Sequence, residues 1–171
     1  MSQIRLKEPD GHDVRLLSEL GAQTFIHAYA STLEPAQLAA YVAQAFSEAR
    51  IAQELKDPGI YYLLALDQGQ ACAYAKLVPS DLPEVLSLIQ AIELKRLYVI
   101  PEYWGQGVGT RLMETLLDWA FAHGHPNMWL RVWQKNVQAM SFYQRWRFRP
   151  VGQEPYHVGD CSEIVQLMVR P

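Results

Sequence analysis

Residues Leu94 to Leu112 read LKRLYVIPEYWGQGVGTRL, and this stretch decides the fold. An apolar strand enters a turn containing Pro101, glycines follow at Gly105, Gly107 and Gly109, and an amphipathic helix begins. Glycine lets a backbone approach a bound group in conformations that a side chain forbids. The first turn of a helix adds unpartnered N–H groups and the positive end of the dipole. The stretch is a candidate anion site, although an ordinary tight strand-to-helix turn explains it equally well on its own. Two other phosphate loops are excluded. A dinucleotide fingerprint needs glycine where Thr110 stands, and a Walker loop needs Gly-Lys-Ser/Thr where Gly109 is followed by Thr110 and Arg111.

Upstream, Ile92 and Leu94 share one parity and Leu97 and Val99 the other, so the alternation slips near Lys95 and Arg96. A bulge explains the slip and would free backbone groups from the ladder, while a strand covered on both faces needs none. Downstream, Val108, Leu112, Leu116 and Ala120 form one stripe with Met113, Leu117 and Phe121 beside it. The spacing predicts a helix from about Gly107 to His123, roughly 25 Å long. Met128 to Asn136, MWLRVWQKN, reads as another strand. Asn136 then caps a helix through Phe148 whose apolar face carries Ala139, Phe142, Tyr143 and Trp146.

The remaining chain reads more plainly. Ile4 and Leu6 mark a short strand, and Leu17, Leu20, Gly21, Thr24 and Phe25 a first helix. Pro35 opens a second helix through Phe46, and Ser47 caps a third through about Lys56. Tyr61 to Leu66 and Ala71 to Val78 flank Asp67-Gln68-Gly69-Gln70 as a hairpin whose first strand is covered on both faces, and Pro79 to Glu84 is a loop. With no repeat, linker or low-complexity tract, residues 1–171 are expected to form a single domain.

A net charge of −3 without a basic block argues against nucleic acid as the main partner, while Lys95, Arg96 and Arg111 near the loop suit a phosphorylated cofactor. No run approaches a membrane span and Met1 to Lys7 lacks a signal pattern, so a cytoplasmic protein with Cys72 and Cys161 as reduced thiols is expected. The histidines do not suit a metal: His123 and His125 flank Gly124 at a helix end. His157, next to Tyr156, is a candidate for an acceptor channel.

The succession of strand, glycine loop, helix, strand, Asn136 and the Phe142-Tyr143 pair resembles the GNAT superfamily of N-acetyltransferases. The signature of that superfamily is Gln/Arg-x-x-Gly-x-Gly/Ala at a helix start. More narrowly, the chain is similar to PaiA-type polyamine acetyltransferases at Thr24-Phe25, Phe46-Ser47, AYAKL (Ala73 to Leu77), IELKRLYV (Ile92 to Val99), WLRVWQKN and Gly159-Asp160. The resemblance implies a mixed α/β (α+β) fold, with a central, mostly antiparallel sheet flanked by helices and splayed between the fourth and fifth strands. It also implies acetyl-CoA as co-substrate, with no metal. The pyrophosphate would sit on the amides of Gln106, Gly107, Val108, Gly109 and Thr110. Main-chain groups of Leu97, Tyr98 and Val99 would hold the pantetheine, and Asn136 would add a hydrogen bond to the cofactor arm. Two positions depart from the pattern: Trp104 stands where Arg or Gln is usual, and Arg147 where Gly precedes Phe148. A non-glycine residue in a left-handed cap is strained, so another geometry is expected at that helix end.

The chemistry follows from the leaving group and the acceptor. A phenol with a reference pKa of about 10 can protonate a departing thiolate whose conjugate acid lies near 8.5, which makes Tyr143 the candidate general acid. A primary amine of reference pKa about 10.4 must lose a proton before it attacks. Glu93 is the candidate base, with an ion pair to Lys95 or Arg96 as the equal alternative. Neither cysteine lies in the motif region, so direct transfer in a ternary complex is expected. The acceptor expected is a small-molecule amine, with polyamines leading and Asp81 and Glu84 available to attract a cation. A homodimer would suit exposed sheet edges. A noncatalytic acyl-CoA-binding module and a protein or peptide N-acetyltransferase are the alternatives.

Overall fold

In the computed structural model, which describes residues 4–171, the chain begins with β1 (Ile4–Lys7), α1 (Val14–Tyr29), α2 (Pro35–Ala45) and α3 (Glu48–Glu54). There follow β2 (Tyr61–Asp67), β3 (Gln70–Val78), β4 (Ala91–Val99), α4 (Val108–Ala122) and β5 (Asn127–Trp133). It closes with α5 (Val137–Arg145), β6 (Arg149–Val158) and β7 (Cys161–Arg170). Local chemistry sets the ends. Asp10 and Asp13 exchange side-chain bonds with each other's turn ahead of α1, Pro35 opens α2, and the Ser47 hydroxyl accepts from the Arg50 N–H at the start of α3. Gln68 and Gly69 both take positive φ, the geometry of a tight hairpin, and turn β2 into β3.

The seven strands lie in the order β1-β2-β3-β4-β5-β7-β6, antiparallel throughout except for the parallel pair β4 and β5. The hairpin of β6 and β7 extends the sheet beyond β5 and has no counterpart in the sequence reading. Helices α4 and α5 cover one face, over Leu63, Ala75, Ile92, Leu112, Leu116, Met128 and Phe148. On the other face, α1 and α3 cover Tyr62, Leu64 and Tyr74, while α2 joins Phe25, Phe46 and Val158 of β6. Tyr61 to Ala65 are buried without a break, as befits a strand covered on both sides. One expectation fails: Phe121 is 76% exposed, because the buried stripe of α4 is Val108, Leu112, Met113, Leu116 and Ala120 and residue 121 falls outside its arc.

The slip in β4 is a bulge. Leu77 pairs with Leu94 and Lys76 with Arg96, so Lys95 has no opposite number. The extra residue keeps Leu94, Leu97 and Val99 on the α4 side and directs Arg96 and Tyr98 toward α1 and Phe46. Beyond this, β4 and β5 pair only at Ala91–Asn127, Ile92–Met128 and Glu93–Trp129. From Leu94 and Leu130 onward no ladder joins them, and the sheet stands open between its fourth and fifth strands.

Candidate active site

The glycine loop stands at the end of the splayed part of β4, and its three glycines serve two purposes. Gly105 and Gly107 take φ of 74° and 78° with open space where a Cβ would project, so the backbone there is accessible and left-handed. Gly109 is instead a packing glycine, and a Cβ on it would lie 3.5 Å from the Phe142 ring of α5 and 3.8 Å from Val99. That contact ties loop, strand and α5 together. The first bond from outside the helix into α4 runs from the Arg111 N–H to the Gly107 carbonyl at 3.1 Å, which leaves the amides of Gly107 to Thr110 ahead of the ladder. The Gln106 amide differs, making a long bond of 3.4 Å to the Tyr103 carbonyl. The three cations read as a phosphate set are divided. Arg111 donates to the Ile4 carbonyl at 2.6 Å beside α4, Lys95 lies 3.5 Å from Glu93, and Arg96 is buried on the α1 face.

Trp104, in the unusual signature position, is half exposed and donates its indole N–H to the Val99 carbonyl at 2.6 Å. One of the main-chain acceptors expected to face a pantetheine therefore already has a partner from this chain. Asn136 caps α5 by accepting from the Ala139 N–H at 3.0 Å, which leaves its amide NH2 as a donor.

Tyr143 is held by the end of α5. The Phe148 N–H reaches the Tyr143 carbonyl at 3.1 Å and the Arg147 N–H reaches Gln144 at 2.9 Å, the two bonds of a Schellman motif. The Phe148 ring meets Tyr143 edge-on at 5.7 Å, which is the apolar contact that accompanies this cap. Arg147 adopts φ of 67°, so the helix keeps the left-handed cap despite a side chain there, contrary to the expectation of another geometry. Tyr143 packs with the α4-side core, yet its hydroxyl has no hydrogen-bond partner among the described residues. Burial raises its pKa, and the Tyr29 phenol of α1 adds to the shift. Tyr98 is raised in the same way, first by burial and then by Tyr29, with Tyr143 contributing.

Glu93 marks the point where the strands part. It is 1% exposed, with one carboxylate oxygen accepting from Arg131 at 2.8 Å and the other from the Ser80 hydroxyl; Lys95 stands at 3.5 Å. Arg131 also pairs with Glu154 of β6 and stacks over Trp129 at 4.6 Å. The ion-pair alternative for Glu93 therefore has its geometry, with Arg131 and Lys95 as partners and Arg96 outside the cluster. His157 is exposed on β6 while Tyr156 alternates inward, so it leaves the channel that its neighbour faces. Asp81 and Glu84 sit in a loop running to Gln90. The sequence reading missed the aromatic lining of the α1 face: Tyr29, Tyr41, Phe46, Tyr98 and Tyr156 around Arg96. The bulge was the signal that could have found it, since shifting the parity at Lys95 sends Arg96 and Tyr98 there.

An open parallel pair, a glycine loop leading into a helix and a phenol across the gap define an acyltransferase of the acetyltransferase class. Residues 23–148 match the family described as Acetyltransferase (GNAT) family, and the chain belongs to that family. An uncharacterized N-acetyltransferase of Mycobacterium tuberculosis, Rv2669, is 34% identical over 158 residues, covering 92% of this chain and 97% of that protein. Among solved structures, PaiA N-acetyltransferase from Thermoplasma acidophilum, in complex with coenzyme A, superposes with a TM-score of 0.79 at 19% identity, covering 98% of each chain. A SpeG spermidine N-acetyltransferase chimera from Vibrio cholerae and hSSAT gives 0.72 at 20% identity, covering 98% of this chain and 95% of that one.

Proposed function

We propose that this protein transfers the acetyl group of acetyl-CoA to the primary amine of a small molecule, in a ternary complex. The observation that carries this reading is the opening between β4 and β5, which pair only from Ala91 to Glu93 and part ahead of the glycine loop. Such a gap is needed for a thioester to meet an amine arriving from the other face. The chain's polar groups fit the cofactor at the loop: unpartnered amides of Gly107 to Thr110 for its pyrophosphate, open space at Gly105 and Gly107, and the Asn136 amide for its arm. Main-chain groups of Leu97, Tyr98 and Val99 border the same opening. When bound, the cofactor supplies an activated acyl carbon and a thiolate leaving group.

The amine nitrogen gains a bond to the acyl carbon and gives up a proton to water in the opening, while the carbon–sulfur bond breaks and the sulfur gains a proton. Tyr143 supplies that second proton. Burial keeps its phenol protonated, and the same desolvation raises the proton affinity of a thiolate beside it, so the match between the two groups survives the shift. Glu93 has two roles to choose between, base for the amine and anchor for Arg131, and its hydrogen bonds favour the anchor. Holding both reactants in one gap supplies much of the rate. Among amines, polyamines are one class that the neighbours' substrates bring to mind. A homodimer would use β1 or β6, the outermost strands.

The test pairs calorimetry of coenzyme A binding with thiol release from acetyl-CoA in the presence of an amine pool and mass measurement of the products. Acetylated product with stoichiometric thiol is expected. Binding without turnover on any small amine or peptide would reduce the protein to a noncatalytic acyl-CoA-binding module, and acetylation of peptides alone would make it a protein acetyltransferase.

A further inference from the structure

Arg96 poses a problem that the transfer chemistry does not solve. Its residue is 9% exposed, yet no carboxylate pairs with it among the described residues, and its polar neighbours are the neutral phenols of Tyr41 and Tyr74. The neighbouring cations are all compensated: Lys76 by Glu54 at 2.7 Å, Arg131 by Glu93 and Glu154, and Lys95 by Glu93. A buried charge without a counter-ion is costly, and proteins ordinarily pair it. The Phe46 ring covers one face of the guanidinium at 4.1 Å, leaving the planar edge, where two parallel N–H groups can grip a carboxylate. Gly21 allows this arrangement, because any Cβ there would strike the Phe46 ring. Beside it the Tyr74 hydroxyl is buried with no well-formed hydrogen bond, so the guanidinium has phenols for company and no counter-ion. The phenols of Tyr41 and Tyr98 face the same guanidinium, and Tyr98 also senses Tyr143.

We propose that Arg96, with Tyr74, receives a carboxylate of the acceptor, so that the substrate is a small amine that carries a free carboxylate, of the amino acid type. This rests on the acetyltransferase reading and narrows it, and it turns the acceptor preference away from polyamines. A polycation would meet Arg96 with no compensating anion, and the nearby carboxylates Glu54, Glu93 and Glu154 are already engaged. The amine end of the acceptor would lie toward Tyr143 and the opening between β4 and β5.

The experiment compares matched acceptors on the full-length protein: amino acids, their carboxamides, the corresponding decarboxylated amines, and spermidine. Each is followed by thiol release from acetyl-CoA and, separately, by calorimetric binding to the protein loaded with coenzyme A. Acids are expected to exceed their amides by about 100-fold in kcat/KM and in affinity, the loss that follows when a charge-assisted pair is left half made. Arg96→Met should bring the acid-to-amide ratio close to one with the coenzyme A affinity unchanged, and Arg96→Lys should restore part of it. Equal use of acids and amides by the wild-type protein, or a preference for spermidine, would overturn the proposal without requiring any variant to fold. Preferential binding of acids with no thiol release would uphold the carboxylate site and refute the transferase reading instead.

Discussion

The two sides of the opening are built by opposite means. The cofactor side is local: strand, loop and helix follow one another from Ala91 to Ala122, and the groups that would hold an anion are main-chain amides. The side proposed for the acceptor is assembled from Tyr29, Tyr41, Phe46, Arg96 and Tyr156, drawn from the first two helices, a central strand and the last hairpin. Its groups are side chains. Backbone recognition tolerates sequence change, whereas side-chain recognition is specific to each molecule. One side can therefore be shared by a family while the other sets what each member modifies.

Four measurements would break or sharpen this contrast. The largest effect is expected at the junction of the two sides. Tyr143→Phe should lower kcat by about 100- to 1,000-fold while leaving calorimetric affinity for coenzyme A as it was; a folded variant of equal turnover would remove the phenol from the chemistry. Next comes the loop, where Gly107→Val places a branched side chain at φ of 78°. The strain of about 1–2 kcal/mol should distort the amide cradle and weaken coenzyme A binding about tenfold or more, with acceptor discrimination retained.

Glu93→Gln separates anchor from base. The acidic limb of the pH–rate profile, where a general base would titrate, should stay in place, and stability should fall by about 2 kcal/mol in denaturant melts, as Arg131 and Lys95 lose a buried counter-charge. A displaced pH profile would restore Glu93 as the base. The mildest intervention is Arg147→Gly, which relieves a left-handed side chain at φ of 67°. It should raise Tm by about 2–4 °C, the shift that about 1 kcal/mol makes in a chain of this size.

Alkali offers a further distinction between the sides. Burial pushes Tyr29 and Tyr74 up to about 12, and both lie on the acceptor face. Because their folded pKa values exceed the unfolded value of about 10, their contribution to stability is complete below that pH and is lost as the pH rises toward 12. Thermal melts should therefore hold steady to about pH 10 and decline above it; a flat profile to pH 12 would mean that these phenols are not desolvated.

Much of the cofactor side was legible in the residues, because period, glycine placement and capping are short-range signals. The bulge could be read from the parity of Ile92, Leu94, Leu97 and Val99, and the cap from Asn136. The acceptor side was not legible for a physical reason. Which aromatic residues meet Arg96 depends on how α1, α2 and β6 cross the sheet, and no local pattern encodes that crossing. The final hairpin escaped because β6 carries Pro150 and Pro155 and exposes every second side chain or more, features of a strand at the sheet margin. The Arg131 partner of Glu93 was not legible either, since ion pairing between β4 and β5 joins residues 38 positions apart.

The single unpaired residue in β4 has a consequence for how such a protein can change. Deleting one amino acid at Lys95 would rotate the outer half of the strand by half a turn, driving Arg96 and Tyr98 into the oily interior and bringing Leu97 and Val99 out to the substrate. Point substitutions can retune what is recognised, but a length change here inverts the strand, so variation in selectivity must come through exchanges of residues while the count between Ile92 and Val99 stays fixed.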